Sequence, residues 1–281
     1  MNKTAFLVDS SAGINEKEIK KYKDSFFIPI SITDENGEVY KDSIYTLSNE
    51  KFENLMKNNT LKTSAINAGE IKGFVDKLLE NYDRVIFLGI GKKLSGQHSV
   101  IKPLEKDKEL ENKFFVFDTD GVSGILRKMF IKVHNHINQG GAIEEVQEII
   151  NKVKTQYKCL IIPKDINYLK RGGRMNAAAA AIATLIKIIP ILSFNGEIDA
   201  SSKCRTLKKA FRISLEVMQK EQENHEVEIY TSIVDEDLLQ DLKDIIKELN
   251  IKIIGEYHLA NVLSVHTGPN TFGMIMWKKE V

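Results

Sequence analysis

Short uninterrupted apolar runs alternate with segments of helical period over the first half of this chain, and few folds accommodate that pattern. The runs Ala5 to Val8, Val85 to Ile90, Phe114 to Phe117 and Cys159 to Ile162 are bounded by polar or turn-forming residues, as strands buried on both faces are. Between them, Ile125, Leu126, Met129, Phe130, Val133 and Ile137 recur at helix spacing. Ile143, Val146, Ile149, Ile150 and Val153 do the same beyond the Gly140-Gly141 break. Continuous strands interleaved with amphipathic helices predict a parallel sheet covered on both faces, so the first half reads as a three-layer α/β/α domain.

From about Cys159 the texture changes. Two long helices are expected, Lys203 to Lys220 and Glu236 to Leu249, followed by closely spaced strands at Ile251 to Leu259, Val262 to Val265 and Phe272 to Trp277. Turns that short leave no room for crossover helices, so some strands run antiparallel and the second half reads as an α/β domain with a mixed sheet. The expected division is residues 1–158 and 159–281, and 281 residues suit two domains at roughly 150 residues each.

Composition removes several functional classes. Hydrophobic residues at 42% and charged residues at 28% place the chain with folded proteins rather than disordered ones. Lys and Arg number 40 against 39 Asp and Glu, a formal net charge of +1. No overall field therefore draws the chain to nucleic acid or an anionic membrane, and a basic site has to be local. Cys159 and Cys204 lie far apart without CxxC spacing, which fits buried thiols in a reducing compartment, so the cytoplasm is expected. The apolar stretch ending at Asp9 is too short for a signal peptide. Ala177 to Leu192, interrupted by Lys187 and Pro190, is shorter than the roughly 20 residues that span a bilayer, and no stable membrane insertion is expected.

Lys170-Arg171-Gly172-Gly173-Arg174 is the most unusual segment. A Gly-Gly pair permits positive φ and a nest of exposed N–H groups, and the flanking arginines add bidentate donors for oxyanions. A solvated turn capping the next helix competes evenly with that reading. Arg205, Lys208 or Lys209, and Arg212 would share one helix face, and most of the arginines fall in these two segments, which favours recognition of phosphate or carboxylate. Thr63-Ser64 and Leu94-Ser95-Gly96 put hydroxyls near the C-terminal ends of strands, where α/β sheets bind ligands, although on spacing alone helix N-capping is the better reading. His266-Thr267-Gly268-Pro269 reads as a turn between two strands with a histidine at its mouth.

Three patterns imitate enzymes. Phe114 to Val122, with Asp118 and Asp120 flanking one residue, has the shape of a magnesium-dependent phosphatase signature; helix-capping acids at a strand end are the simpler reading. Gly89-x-Gly91 lacks the third glycine of a nucleotide fingerprint, since Leu94 stands there. Ser95 with His266 could be nucleophile and base, yet no GxSxG elbow surrounds the serine. His134 and His136, two residues apart on a helix, point to different faces and are not read as a metal pair.

Taken in order, Asp9-Ser10-Ser11, Thr63-Ser64, Leu94-Ser95-Gly96, Lys170-Arg171-Gly172-Gly173-Arg174, Lys203 with Arg205, and His266-Thr267-Gly268-Pro269 resemble the DegV family of lipid-binding proteins. That family includes the fatty-acid-carrying subunits of bacterial fatty acid kinase. The resemblance runs from about residue 4 to residue 276. It implies a two-domain α/β protein enclosing one long-chain fatty acid, with the carboxyl end bound between the domains and the acyl chain in a buried tunnel. Carried over by position, Thr63, Ser95, Gly96 and His266 hold the carboxylate. Arg171, Arg174, Lys203 and Arg205 form the partner-docking, anion-facing surface. The implied partner is the kinase catalytic subunit, which phosphorylates the bound carboxylate with ATP for phospholipid metabolism. On that reading the chain is a bacterial cytoplasmic carrier, a monomer without catalytic residues, metal or cofactor. A phosphatase using Asp118 and Asp120, a Ser95 hydrolase and a scaffold binding protein alone through Arg174 and Arg205 are the competing readings. Gln97-His98 stands where the family usually has Thr-Tyr, Gly91-Lys92-Lys93 replaces a serine pair, and Asn270 replaces a glycine.

Overall fold

The computed structural model describes residues 2–182 and 187–279, in two compact units, Met1–Thr155 and Gln156–Val281. The division falls between Thr155 and Gln156, just ahead of the strand Tyr157–Pro163.

The first unit runs β1 (Thr4–Asp9), β2 (Ser25–Ile28), β3 (Ser31–Thr33), β4 (Val39–Lys41), α1 (Asn49–Asn58), β5 (Lys62–Ser64), α2 (Ala68–Leu79), β6 (Arg84–Leu88), α3 (Gln97–Ile101), β7 (Phe114–Val116), α4 (Ser123–Asn138) and α5 (Val146–Lys154). Strands β2-β1-β6-β7 form a parallel sheet in that order. Every residue of β1 is buried, as the continuous apolar run requires of a central strand covered on both faces. Helix α4 buries Ile125, Leu126, Met129, Phe130, Val133 and Ile137, the stripe that its period predicts. A second, antiparallel sheet, β4-β3-β5, is an addition to the expected architecture. Its strands are three residues long, below what alternation in a sequence can register.

The second unit runs β8 (Tyr157–Pro163), α6 (Asn167–Gly172), α7 (Ala177–Ile182), β9 (Ile189–Phe194), β10 (Ile198–Cys204), α8 (Leu207–Gln219), β11 (His225–Thr231), α9 (Glu236–Glu248), β12 (Ile253–His258), α10 (Asn261–Thr267) and β13 (Thr271–Lys278). Its sheet has the order β10-β9-β8-β13-β11-β12, antiparallel except for β11 with β12, and is therefore mixed. Helix α8 packs Leu207, Ala210, Phe211, Leu215 and Met218 on Phe272, Met274 and Met276 of β13 and on α9 residues Leu242 and Ile245. Phe211 meets Phe272 edge to face at 4.6 Å.

Two sequence expectations change here, and part of a third lies outside the described residues. Val262 to Val265 is helical, part of α10, which buries Val262, Ser264 and Val265; so short an apolar run carries no period that separates strand from helix. Lys203 belongs to β10 rather than to a helix, because Thr206 caps α8 by accepting the Lys209 N–H at 3.2 Å. Part of the apolar stretch Ala177 to Leu192, residues 183–186, lies outside the described residues, and its end enters β9. No helix among the described residues is long and apolar enough to cross a membrane.

Candidate functional site

In the first unit the chain leaves β1 toward β2 on one side, while β6 lies on the other, so the sheet order reverses between β1 and β6. The crevice at the C-terminal ends of such strands is where open α/β sheets take ligands. Asp9, fully buried at the end of β1, organises it. Its Oδ1 accepts from the Ser11 N–H at 3.1 Å and the Ser11 hydroxyl at 2.5 Å, and its Oδ2 accepts from the Ile90 N–H at 2.9 Å. Burial pushes its pKa up to about 6, with these three donors working against the shift. Gly89 has no side chain because one there would lie 2.6 Å from Asp9 Oδ2. Thr119, beyond β7, donates to the Gly89 carbonyl at 2.7 Å, and the Gly91 N–H donates to the Gly121 carbonyl at 2.9 Å. The loops after all three strands are thereby tied together.

On this base stands the turn carrying Ser95. Ser95 N–H donates to the Gly91 carbonyl, and Ser95 Oγ accepts from the Gln97 N–H at 3.2 Å. Gly96 is exposed beside it. Gln97, fully buried, accepts the Ile66 N–H on its Oε1 at 2.8 Å. Thr63 is half-buried in β5, paired with Ile32 of β3, two residues into the segment that reaches Ile66. Neither Thr63 nor Ser64 caps a helix; Asn67 caps α2 through the Glu70 N–H. Gln97 thus joins the Thr63 segment to the Ser95 turn, two elements that the sequence leaves thirty residues apart.

Asp118 and Asp120 do not cap α4, whose N-cap is Val122. Asp118 pairs with Lys92 at 2.5 Å and Asp120 with Lys154 at 2.9 Å. Burial opposes ionisation of Asp118, but Lys92 and then Lys154 outweigh it and hold the carboxyl below its ordinary range. Each ammonium engages Oδ2 alone, and the Oδ1 of both Asp118 and Asp120 is buried without a hydrogen-bond partner. His134 Nε2 bonds the Lys23 carbonyl at 2.9 Å, and His136 Nε2 the Ala142 carbonyl at 3.0 Å. No group of metal-ligating side chains occurs among the described residues.

In the second unit, α6 ends at Gly173, which adopts φ +66° as a left-handed cap. Arg171 lies on the Tyr168 ring, 4.5 Å from its centroid. Arg174 is half-buried, donates to the Gly172 carbonyl, and burial lowers its pKa from the ordinary value. His266, on the last turn of α10, sits against Gly172: a Cβ there would lie 2.7 Å from His266 Nδ1. Burial, then the Arg174 charge, push the His266 pKa down to about 4, so the imidazole is neutral at pH 7. His266 therefore ends a helix rather than a strand turn, and within this unit the Arg-Gly-Gly-Arg segment and His266 form one cluster.

The basic stripe expected on one helix face is broken. Arg205 precedes the Thr206 cap, while Lys208 pairs with Asp241 at 2.8 Å and Arg212 holds Glu248 through two bonds of 2.8 and 2.6 Å. Those cations fasten α8 to α9. Lys203 and Arg205 are exposed and make no ion pair among the described residues.

Comparison with known proteins concerns the chain as a whole. The profile of the family described as "Uncharacterised protein, DegV family" matches residues 3–279. A DegV domain-containing protein of Clostridium acetobutylicum is 28% identical over 290 residues, covering 99% of this chain and all of that one. Among solved structures, the fatty-acid-binding DegV family protein of Thermus thermophilus superposes with a TM-score of 0.83 at 21% identity, over 99% of this chain and 100% of the other. DegV of Bacillus subtilis, a fatty-acid-binding protein, gives 0.82 at 23% identity, over 99% and 100%.

Proposed function

This chain belongs to the DegV family, and from that membership we propose that it binds one long-chain fatty acid, with the acyl chain in a buried tunnel and the carboxylate held by Thr63, Ser95, Gly96 and His266. What supports the head-group assignment is Ser95: its oxygen already accepts the Gln97 N–H, so its own proton is left to donate to an anion. Neutral His266 supplies a hydrogen bond, and half-buried Arg174 supplies positive charge in the same cluster.

The free energy divides by chemistry. Burying about fourteen methylenes at roughly 0.8 kcal/mol each gives on the order of 11 kcal/mol, from which association costs remove several. A desolvated carboxylate costs several kcal/mol unless charge-assisted bonds offset it, so the head-group residues orient the ligand more than they tighten it. The protein then acts as a carrier without catalytic residues of its own, a cytoplasmic monomer that presents the carboxylate to the catalytic subunit of a fatty acid kinase. That partner docks on the cations Arg171, Arg174, Lys203 and Arg205. Exposed Lys203 and Arg205, without acidic partners among the described residues, suit such a role.

Native mass spectrometry of the purified protein, followed by organic extraction, tests the reading. A stoichiometric fatty acid released only on denaturation is expected. An empty protein that takes up no added fatty acid refutes it. Ser95→Ala is expected to weaken retention or turnover by the kinase about tenfold.

A further inference from the structure

We propose that Gln97 is a further head-group residue of this chain, whose side-chain Nε2–H donates to the carboxylate of the bound acyl ligand; the proposal rests on the fatty-acid reading above. Gln97 is fully buried, and its two amide atoms have unequal fates. Oε1 accepts the Ile66 N–H at 2.8 Å, whereas Nε2 is buried without a hydrogen-bond partner. The orientation is fixed by chemistry. A backbone N–H only donates, so turning the amide over would set two donors face to face. Nε2 is thus the group left stranded, and a buried donor without an acceptor is costly and rare in native proteins.

Its surroundings name the missing acceptor. The Gln97 backbone N–H is spent on Ser95 Oγ, which leaves the Ser95 hydroxyl proton as a second donor from the same turn. Ile66 follows directly on the Thr63 segment. Two donors without acceptors on one turn suit a group that only accepts and carries two oxygens, which is a carboxylate. The Thr-Tyr that the resemblance expects after Leu94-Ser95-Gly96 is Gln97-His98 here, and threonine is too short to reach Ile66 and offer an amide donor at once. A one-residue departure thereby supplies both a brace and a donor.

Affinities for hexadecanoate and hexadecanol at pH 8 test the assignment in the unaltered protein, Gln97→Glu and Gln97→Met. Gln97→Glu keeps the acceptor for Ile66 and removes the donor. It should weaken hexadecanoate about tenfold or more and leave hexadecanol nearly unchanged. Gln97→Met, which loses brace and donor, should show the same preference. Should either variant fold poorly, the Gln97 side-chain 15N–1H signals of the unaltered protein provide the readout, and they should shift on adding hexadecanoate. Equal weakening of acid and alcohol, or unmoved Gln97 signals with hexadecanoate bound, overturns the assignment and leaves fatty-acid binding standing. If the unaltered protein binds neither ligand, the fatty-acid reading falls and takes this inference with it.

Discussion

Acidification should weaken the second unit through His266, by an amount its surroundings set. The folded-state pKa is about 4, lowered from 6.5 by burial and by Arg174. Between those values the unfolded chain takes up a proton that the folded unit refuses. The contribution to stability is therefore complete above pH 6.5 and lost as pH falls toward 4. At about 1.36 kcal/mol per pKa unit the whole window is worth on the order of 3 kcal/mol, and about 2 kcal/mol of it is lost between pH 7 and pH 4.5. His266→Asn removes the titration and keeps a polar group. Urea unfolding at pH 7 and 4.5 can be followed by Trp277, the only tryptophan, which is buried in β13 of the same unit. The variant should lose about 2 kcal/mol less than the unaltered protein over that interval. A His266 ring-proton titration with its midpoint near 6, or identical pH dependence in the variant, refutes the reasoning.

Three further outcomes are expected. Asp9, raised to about 6, has the opposite sign: its contribution is complete below 3.8 and lost as pH rises through 6, so Asp9→Asn should abolish an acid-side gain on the order of 3 kcal/mol in the first unit; unchanged pH dependence in urea unfolding would contradict this. Gly268→Ala should lower the thermal midpoint, because φ is +80° and a Cβ would lie 2.5 Å from the Tyr168 ring, with roughly 1–3 kcal/mol from the backbone alone; a melt within a degree of the unaltered protein would show that Tyr168 yields freely. Asp118→Asn breaks a partly exposed pair with Lys92 and should cost at most about 1 kcal/mol. Release of phosphate from a generic phosphomonoester that vanishes in that variant would restore the phosphatase reading.

Legibility of the sequence followed the length of the elements. Strands β1, β6 and β7 announce themselves as continuous apolar runs, and α4, α5 and α9 because each repeats its period several times, whereas β2 goes unread. Strands β3 to β5 repeat nothing, so Thr63 reads as a helix cap when it lies in a small sheet. The β9–β10 hairpin carries a local signal, since its turn contains Asn195-Gly196 with Gly196 at φ +77°, directly after an apolar run. Among site residues, the hydroxyls and arginines are conspicuous by type. Asp9 as a hub for three donors and Gln97 as a brace depend on contacts across 81 and 31 residues, and no local pattern encodes those. The partnering of Lys208 and Arg212 with α9 likewise needed the helix pair to be seen.

The close approach of Gly172 to His266 and of Gly268 to Tyr168 also restricts how this protein can change over generations. The space beside each glycine is filled by a ring, and for Gly172, whose φ is ordinary, the ring is what forbids a side chain. Enlarging residue 172 evicts the imidazole, and shrinking residue 266 leaves a void over a glycine that no longer has a reason to be one. Lineages that abandon the histidine should therefore lose the glycine with it. Paired turnover at 172 with 266 is the record that such interlocking leaves in a family tree, whereas Gly268 is also held by its φ of +80° whatever stands at 168.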